Sequence, residues 1–394
     1  MTSSKLTIAP TPIDPVPAAR AAVLALRDHL RRRFIERDTE AQVLMLALVA
    51  REHVCMIGTP GEAKSALTDA MIEALGARSF RHLMTRFTEP GETEGPLDMA
   101  ALQGGRQRRV TSGMLPDAEI AFLDEGFKGS SASLNTTLTM LNERRHKNDG
   151  AWSDIPLRTL VVASNEMPEP EDGLGAFEDR LLLRLCVGRL SPAGIRTLLA
   201  RSNAPFVEPV PSVTLAQLDA LSAAADALPV SDEALEAVAK VRDALIEKGV
   251  EVSSRRIVKA VGVLRAAAVL DGAAQVTSVH LAVLEHICWR RPEEIPMVRE
   301  VVRQHVANWL KALRDSEAAL DDVETRIATA ARKAGPKHEG IGMLAKCLDA
   351  LTEIVTVIDV LPPEAASESV RVRERIKAAK QNINSAMRMF GIGV

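Results

Sequence analysis

The stretch CMIGTPGEAKSALTDAM, residues 55–71, places a glycine-containing turn between an apolar run and the pattern of a helix. It follows the phosphate-loop pattern G-x-x-x-x-G-K-[ST], except that Ala63 stands where the second glycine belongs. A phosphate loop needs backbone N–H groups that point at one anion, a helix N-terminus behind them, one ammonium and one hydroxyl. Four residues can supply those parts: Gly58, Gly61, Lys64 and Ser65.

The alanine weakens the match to the pattern more than it weakens the chemistry. An alanine held at positive φ costs only about 1–2 kcal/mol, which is small beside the free energy of a phosphate held by several contacts. By itself, however, the stretch is equally typical of an ordinary strand-to-helix turn that contains glycines. The choice between these two interpretations depends on the rest of the chain.

Composition excludes several classes of function. The chain has 394 residues, enough for two or three domains, and its scarce aromatics (eight Phe, three Trp, no Tyr) predict aliphatic and mostly helical cores. Its net charge of -3 gives no general attraction to nucleic acid or to an anionic membrane. The four cysteines are scattered without a C-x-x-C pair, which indicates neither a disulfide framework nor a zinc site.

No segment predicts export or a membrane span. Residues 1–20, MTSSKLTIAPTPIDPVPAAR, lack the cationic segment and the apolar run of a signal peptide, and their prolines predict a flexible arm over residues 1–17. The longest apolar run, VLMLALVA at residues 43–50, is too short to cross a bilayer. Together with the scattered cysteines, these features predict a cytoplasmic protein.

Residues 18–190 alternate helix patterns with short, continuously apolar runs. Strands of that kind, separated by helices, indicate a parallel sheet covered by helices on both faces. Because phosphate loops lie at the carboxyl ends of such strands, an α/β nucleotide-binding domain would be the right context for the opening stretch. The clearest strand patterns are HVCMIG (53–58), IAFLD (120–124) and LRTLVVASN (157–165).

Strand patterns are absent after residue 190. Residues 191–295 contain five helix patterns and predict a small all-α domain, in which Ser231 followed by two acids is a clear helix N-cap. In residues 296–394 apolar side chains recur every seven residues, which predicts three long helices in a bundle or coiled coil. The recurring positions include Leu313, Leu320, Ile327, Ile376, Ile383 and Phe390.

Two later strands end in the polar groups that nucleotide hydrolysis needs. An apolar run ending in Asp124 and Glu125 offers one carboxylate for Mg²⁺ and a second to orient and deprotonate a water. The next apolar run ends at Asn165, whose amide would hydrogen-bond that water or a γ-phosphate. Each feature alone has a common alternative, since apolar runs often end in acids and asparagines often cap helices.

Three arginines complete the series. The run FEDRLLLRL, residues 177–185, places Arg180 and Arg184 at the end of the α/β region, and SSRR, residues 253–256, offers Arg255 to a phosphate from the all-α region. Arginines four apart on a helix are usually surface charges. Five weak signals in one order, on suitable elements, rarely arise by chance, and the sequence therefore predicts nucleotide binding.

Six segments carry a likeness to a known family: GTPGEAKS, LMTRFTEPGETEGPLDMAAL, TSGMLPDAEIAFLDE, LNTTLTMLNER, LVVASNEMPE and DRLLLRL. They resemble the AAA+ ATPases, within these the MoxR family, and most closely its RavA-like branch. The resemblance covers residues 20–290 or so and implies an α/β AAA+ core, an all-α lid and a helical C-terminal domain. RavA-like loops also carry alanine before the lysine, which makes Ala63 a family variant.

The resemblance implies an ATP and Mg²⁺ site with assigned residues. Lys64 and Ser65 would be the Walker A ligands, and Asp124 and Glu125 would be the Walker B pair. Ser65 and Asp124 would hold Mg²⁺, while Glu125 would be catalytic. The residues implied to bind the nucleotide are Gly58, Thr59, Pro60, Gly61, Glu62, Ala63, Lys64, Ser65, Ala66, Asp124 and Arg255.

The resemblance also assigns the remaining polar residues. Asn165 would be the sensor 1 residue, and Arg255 the sensor 2 residue. Arg180 would be the arginine finger that reaches a neighbouring subunit, with Arg184 as a second candidate for that role. An insert near residues 98–117 and a hairpin around HKNDGAWSD, residues 146–154, are further implied features of the core.

The family implies an ATPase that assembles as a homo-oligomer, commonly a hexameric ring, and remodels or matures other proteins. A chaperone-like task beside a partner with a von Willebrand factor A domain is the usual arrangement in the family. One alternative is a nucleic-acid-directed motor built on the same core, against which the negative net charge counts. Another is a scaffold that binds nucleotide without hydrolysing it, against which Glu125 and Arg180 count.

Overall fold

The computed structural model describes residues 15–203, 206–306, 308–332, 337–359 and 366–389. The chain divides into two compact units that adjoin in sequence between Arg299 and Glu300. The predicted arm over residues 1–17 lies mostly outside the described residues, and its last three residues belong to the first helix. No helix in the described part of the chain is long and apolar enough to cross a membrane.

A five-stranded parallel sheet is the centre of the first unit. The strands described in this unit are β1 (Val54–Ile57), β2 (Ser79–Leu83), β3 (Ile120–Asp124), β4 (Arg145–Asn148), β5 (Ala151–Asp154), β6 (Thr159–Ser164) and β7 (Leu183–Cys186). The sheet has the order β2-β3-β6-β1-β7, with every neighbouring pair parallel. All side chains of β1 and β6 are buried, as expected for central strands covered on both faces. The predicted parallel sheet is confirmed.

Helices precede, connect and follow these strands. Those described in the first unit are α1 (Pro15–Arg33), α2 (Asp38–Ala50), α3 (Lys64–Leu75), α4 (Pro90–Glu94), α5 (Met99–Gln103), α6 (Ser131–Thr136), α7 (Leu138–Glu143), α8 (Gly175–Arg180), α9 (Pro192–Ala200), α10 (Leu215–Ala227), α11 (Asp232–Glu247) and α12 (Ser254–Asp271). Helices α10 and α12 of the predicted lid pack against α1 and α2, which precede β1. As predicted, Ser231 caps α11, since its hydroxyl accepts from the N–H of Ala234.

One of the five predicted lid helices is not an α-helix. The segment TSVHLAVLEHICWRR, residues 277–291, forms 3₁₀ turns over Ser278–His286. Helical structure does not continue past His286, where two backbone carbonyls accept hydrogen bonds from arginines elsewhere in the unit. The Ile287 carbonyl accepts from Arg256 at 2.8 Å, and the Trp289 carbonyl accepts from Arg184 at 2.7 Å. Carbonyls committed in this way are lost to a continuing helix.

Strands β4 and β5 form the predicted hairpin. They are antiparallel and joined by Asp149 and Gly150, both at positive φ (53° and 81°), as a two-residue primed turn requires. The hairpin is tied to the segment of the predicted insert, residues 98–117, which contains α5. The N–H of Arg109 donates to Asn148 Oδ1 at 2.8 Å, and Asn148 Nδ2 donates to the Arg109 carbonyl at 3.0 Å.

Long helices form the second unit, as predicted. Helix α13 (Ile295–His305) spans the boundary, and α14 (Asn308–Arg332), α15 (Lys337–Asp359) and α16 (Ala366–Met389) follow. Each of the last three packs against the other two, which makes them a three-helix bundle. The heptad positions named above are buried, except that Phe390 lies outside the described residues: Leu313, Leu320, Ile327, Ile376 and Ile383.

Candidate active site

The opening stretch forms the turn between β1 and α3. Ile57 ends the strand, Lys64 begins the helix, and the loop between them contains two residues with positive φ, Gly61 at 85° and Ala63 at 62°. Ala63 therefore carries the backbone cost of about 1–2 kcal/mol that a glycine would avoid. Gly58 is needed for space, because a Cβ there would lie 2.4 Å from the Val187 carbonyl oxygen.

Lys64 folds back over this loop. Its Nζ donates to the carbonyls of Gly58 and Thr59, the latter at 3.0 Å, and the residue is 8% exposed. Burial lowers the pKa of Lys64, while the charges of Glu125, Asp124 and, less strongly, Glu62 act to raise it. The ammonium is therefore a fixed cation near the carboxylates at the end of β3, two strands away from β1 in the sheet.

Ser65 and Asp124 meet at the carboxyl edge of the sheet. The Ser65 hydroxyl donates to Asp124 Oδ2 at 3.3 Å, and Asp124 Oδ1 accepts from the N–H of Glu125 at 3.1 Å. Oxygen ligands of this kind fit Mg²⁺, which keeps several waters and takes few protein ligands. Among the described residues there is no cluster of three or more His, Cys, Asp or Glu that could hold a metal ion.

Glu125 and Asn165 form a contact between the ends of the neighbouring strands β3 and β6. Asn165 Nδ2 donates to Glu125 Oε1 at 2.7 Å, and Glu125 Oε2 lies 3.2 Å from Lys128 Nζ. Glu125 itself has φ 49°, a left-handed backbone conformation that a residue other than glycine adopts only at a cost in free energy. The position of this carboxylate is thus set by the strained backbone of Glu125 and by the hydrogen bond from the Asn165 amide.

The five groups predicted for nucleotide chemistry converge. They stand at or just beyond the carboxyl ends of β1, β3 and β6, which are adjacent in the sheet. One ammonium, one hydroxyl, two carboxylates and one amide at such an edge can bind a phosphate chain, hold Mg²⁺ and direct a water. They are Lys64, Ser65, Asp124, Glu125 and Asn165.

Arg180 and Arg255 lie at the amino edge of the sheet, opposite the edge that contains the phosphate loop. Arg180 ends α8, three residues before Leu183, which pairs with Val54 at the start of β1. The phosphate loop begins only after Ile57, at the other end of the same strand. Since a strand rises about 3.3 Å per residue, neither arginine lies beside the loop of its own chain.

These two arginines are close to each other and accessible. Arg180 is half-buried, and its Nη1 donates to the Ala176 carbonyl one turn earlier. Arg255 Nη1 lies 3.9 Å from Asp179 Oδ2, and its side chain is 47% exposed. Partial burial, and then the Arg255 charge, lower the pKa of Arg180. Arg255 thus lies beside Asp179 at the edge opposite the loop of its own chain, and its role toward a phosphate stays a prediction.

Arg256 shows why Arg255 is the outward-facing member of the SSRR pair. Its guanidinium is 3% exposed and donates to several backbone carbonyls, among them Leu181 at 3.2 Å and Ile287 at 2.8 Å. Burial lowers the pKa of Arg256 to about 9. Arg256 therefore joins the lid to the start of β7, and Arg255 is left to face outward.

The prediction that Arg184 is a second arginine able to reach a neighbouring subunit is wrong. The residue lies within β7, is 1% exposed, and its Nη2 pairs with Glu178 Oε1 at 3.0 Å. Its Nη1 donates to the Trp289 carbonyl at 2.7 Å. The leucines around Arg184 in LLLRL, residues 181–185, are typical of a buried strand. The four-residue spacing from Arg180 suggested a helix instead.

Sequence reasoning also missed Arg37, in the turn between α1 and α2. Its side chain donates to the Glu62 carbonyl of the phosphate loop at 3.2 Å. No motif marks this arginine, because a charged residue before a helix is common in any sequence.

Family models match most of the first unit. Residues 21–212 match the MoxR domain in the MoxR-vWA-beta-propeller ternary systems, and residues 233–302 match an AAA lid domain. The first description names the ternary systems and not the RavA-like branch, so that finer assignment stays a prediction.

Individual proteins also resemble this chain. Among similar sequences are two uncharacterized proteins of Methanocaldococcus jannaschii. One is 37% identical over 279 residues, which cover 68% of this chain and 72% of the relative. The other is 31% identical over 303 residues, which cover 77% and 79% respectively. A crystal structure from Cytophaga hutchinsonii, described as "a putative ATPase", matches with a TM-score of 0.58 at 15% identity, covering 74% of this chain and 95% of that one. At that identity the likeness shows the shared fold alone.

Proposed function

The chain belongs to the MoxR family of AAA+ ATPases, and we propose that it binds ATP and Mg²⁺ at the carboxyl edge of its sheet and hydrolyses the nucleotide. The observation that carries this proposal is the meeting of the loop after β1 with the polar ends of β3 and β6. Mg²⁺, when bound by Ser65 and Asp124, would neutralise charge that develops on the phosphates. Lys64 supplies the fixed positive charge of the protein at the same place.

Glu125 is the proposed general base. The hydrogen bond from Asn165 fixes one oxygen of the carboxylate and so fixes its direction. A water that is oriented by this pair would lose its proton to Glu125 as it attacks the γ-phosphate. The ion pair with Lys128, at 3.2 Å, keeps a second positive charge beside the base.

The arginines at the amino edge support an assembled enzyme. Arg180 and Arg255 do not reach the loop of their own chain, so they are available to a nucleotide held by a neighbouring copy. An arginine supplied by a neighbour typically contributes about 10³–10⁵ in rate, by matching the charge of the transition state. A closed ring, with six subunits as in the family resemblance, would give every site such a neighbour.

The biological task is proposed from the family. Its resemblance implies a chaperone-like remodelling or maturation ATPase. The matched MoxR model is named for systems that contain a vWA component and a β-propeller component. We therefore propose a partner with a von Willebrand factor A domain and a protein client.

An ATPase assay with the purified full chain tests the enzymatic part. Phosphate release should require Mg²⁺, and the activity per chain should rise with protein concentration as light scattering records larger assemblies. Constant activity per chain across dilution to single subunits would contradict the role of a neighbour. Complete inactivity of verified oligomers with Mg²⁺ and ATP would contradict hydrolysis.

A trapping experiment tests the partner. Glu125→Gln should hold ATP without hydrolysing it and so keep an ATP-dependent complex intact. Mass spectrometry of proteins retained with ATP, and lost with ADP, should then find a von Willebrand factor A domain protein. Retention of nucleic acid in place of such a protein would favour the motor alternative.

A further inference from the structure

Arg37 connects the turn between α1 and α2 to the phosphate loop. The residue is 4% exposed, and its guanidinium has four acceptors on three segments. It donates to the Glu62 carbonyl at 3.2 Å and to Glu62 Oε2 at 2.9 Å. It also donates to the Gly188 carbonyl at 2.9 Å and to the Glu36 carbonyl at 2.8 Å. The planar fork of arginine can serve several acceptors at once, which the ammonium of lysine cannot match.

The Glu62 carbonyl belongs to the peptide unit that joins Glu62 to Ala63. In a planar trans peptide the C=O and the following N–H point in opposite directions. By holding the Glu62 carbonyl on its own side, Arg37 turns the N–H of Ala63 away from itself and fixes the peptide plane before Ala63. That plane leads into the left-handed conformation of Ala63 (φ 62°), the single position where the loop lacks the expected glycine.

Arg37 is itself held in place. The preceding residue, Glu36, accepts hydrogen bonds from the N–H of Ser191, at 2.7 Å, and from the Ser191 hydroxyl. Together Glu36 and Arg37 attach the turn to the chain that leaves β7 and to the phosphate loop. Little side-chain freedom is therefore lost when the loop binds a ligand, and Arg37 can hold the loop before the ligand arrives.

We propose that Arg37 is a positioning residue for nucleotide binding, which holds the phosphate loop in the conformation that Ala63 alone would adopt only at a cost. The inference rests on the proposed binding of ATP. The inference goes beyond ATP binding because it gives a role to a buried arginine outside the motif. Arg37 supplies a stabilisation of the loop that a second glycine would make unnecessary. Removal of Arg37 should consequently matter more when residue 63 is alanine than when it is glycine.

A double-mutant cycle tests this proposal. The dissociation constant of ADP with Mg²⁺ is measured by titration calorimetry for the full chain, Arg37→Ala, Ala63→Gly and the double variant. We expect Arg37→Ala to weaken binding about tenfold, because about 1.4 kcal/mol corresponds to that factor and lies within the backbone cost of Ala63. In the Ala63→Gly background the same change should weaken binding no more than about threefold, a non-additive result expected of residues that act on one loop.

Two matched variants separate geometry from charge. Arg32→Ala removes an exposed arginine of α1 that pairs with Glu208 and does not contact the loop, and it should leave the affinity unchanged. Arg37→Lys keeps the charge but not the fork, and it should weaken binding nearly as much as Arg37→Ala. Thermal unfolding without nucleotide shows that each variant is folded. If Arg37→Ala does not fold, Arg37→Lys with and without Ala63→Gly completes the same cycle.

The outcomes are distinct. An equal loss of affinity in both backgrounds, or none in either, would overturn the proposal, and so would full affinity in Arg37→Lys. Failure of the unmodified chain to bind ADP or ATP would instead overturn the proposed function.

Discussion

The two edges of the sheet differ in what they offer to a nucleotide. At the carboxyl edge, Lys64, Ser65 and the polar ends of β3 and β6 can hold phosphates, Mg²⁺ and a water. At the amino edge, Arg180 and Arg255 both lie near Asp179, away from the phosphate loop of their own chain. Each edge therefore has what the other lacks, and two copies of the chain could complete one site. The difference makes assembly part of the proposed chemistry.

The amino edge contains a second contrast, between arginines that face outward and arginines that face inward. Arg180 and Arg255 are accessible, whereas Arg184 and Arg256 are almost fully buried and donate to carbonyls or pair with Glu178. All four occur in two short motifs of the sequence. Their position along the chain therefore does not decide their role, and burial does.

The largest expected effects separate the carboxyl-edge residues from one another. Lys64→Ala should reduce ATP binding below detection in calorimetry, because it removes the fixed cation of the loop. Glu125→Gln should bind ATP normally and lose hydrolysis by about 10²–10⁴, since the amide keeps the shape but cannot take a proton. Equal loss of binding in both variants would show that Glu125 has been assigned the wrong role.

The inward-facing arginines predict an effect on stability. Arg184→Ala should destabilise the first unit by about 3–5 kcal/mol, because it leaves Glu178 buried without its closest partner. Arg180→Ala is the matched control at the accessible position and should change stability by less than about 1 kcal/mol. The midpoint of urea unfolding, followed by the fluorescence of the buried Trp289, measures both. Similar midpoints for the two variants would remove the contrast between them.

The smallest expected effect concerns the strained alanine of the loop. Ala63→Gly should tighten nucleotide binding by no more than about tenfold, because about 1.4 kcal/mol corresponds to that factor and lies within the cost of positive φ. Calorimetry with ADP and Mg²⁺ measures this gain. A much larger gain would mean that the alanine restrains binding by something other than backbone strain.

The sequence predicted those parts of the fold and site that depend on local pattern. Apolar runs identified β1, β3 and β6. The meeting of Asp124 with Ser65 follows because the carboxyl ends of parallel strands lie at one edge of the sheet. The Asp149-Gly150 turn could also be predicted, because a two-residue hairpin turn needs two residues that accept positive φ.

The features that sequence reasoning missed depend on contacts between distant segments. Spacing could not show that Arg184 would meet the Trp289 carbonyl, 105 residues away. Nor could it show that Arg255 would lie beside Arg180 at the edge opposite the loop. The role of Arg37 could not be predicted for the same reason. Most of its hydrogen-bond acceptors are backbone carbonyls, which every residue possesses. Burial and hydrogen bonding of long side chains become apparent only in the folded structure.

The most direct test of the central claim mixes two inactive variants. Arg180→Ala should bind ATP at its own intact loop yet be inactive, because its neighbour lacks the arginine. Lys64→Ala should be inactive for the opposite reason, with an intact Arg180 and a loop that cannot hold ATP. Mixed oligomers would contain interfaces with ATP on one side and Arg180 on the other, and we predict measurable ATPase activity only in the mixture. No activity in oligomers that mass spectrometry shows to be mixed would contradict an arginine supplied by the neighbouring subunit.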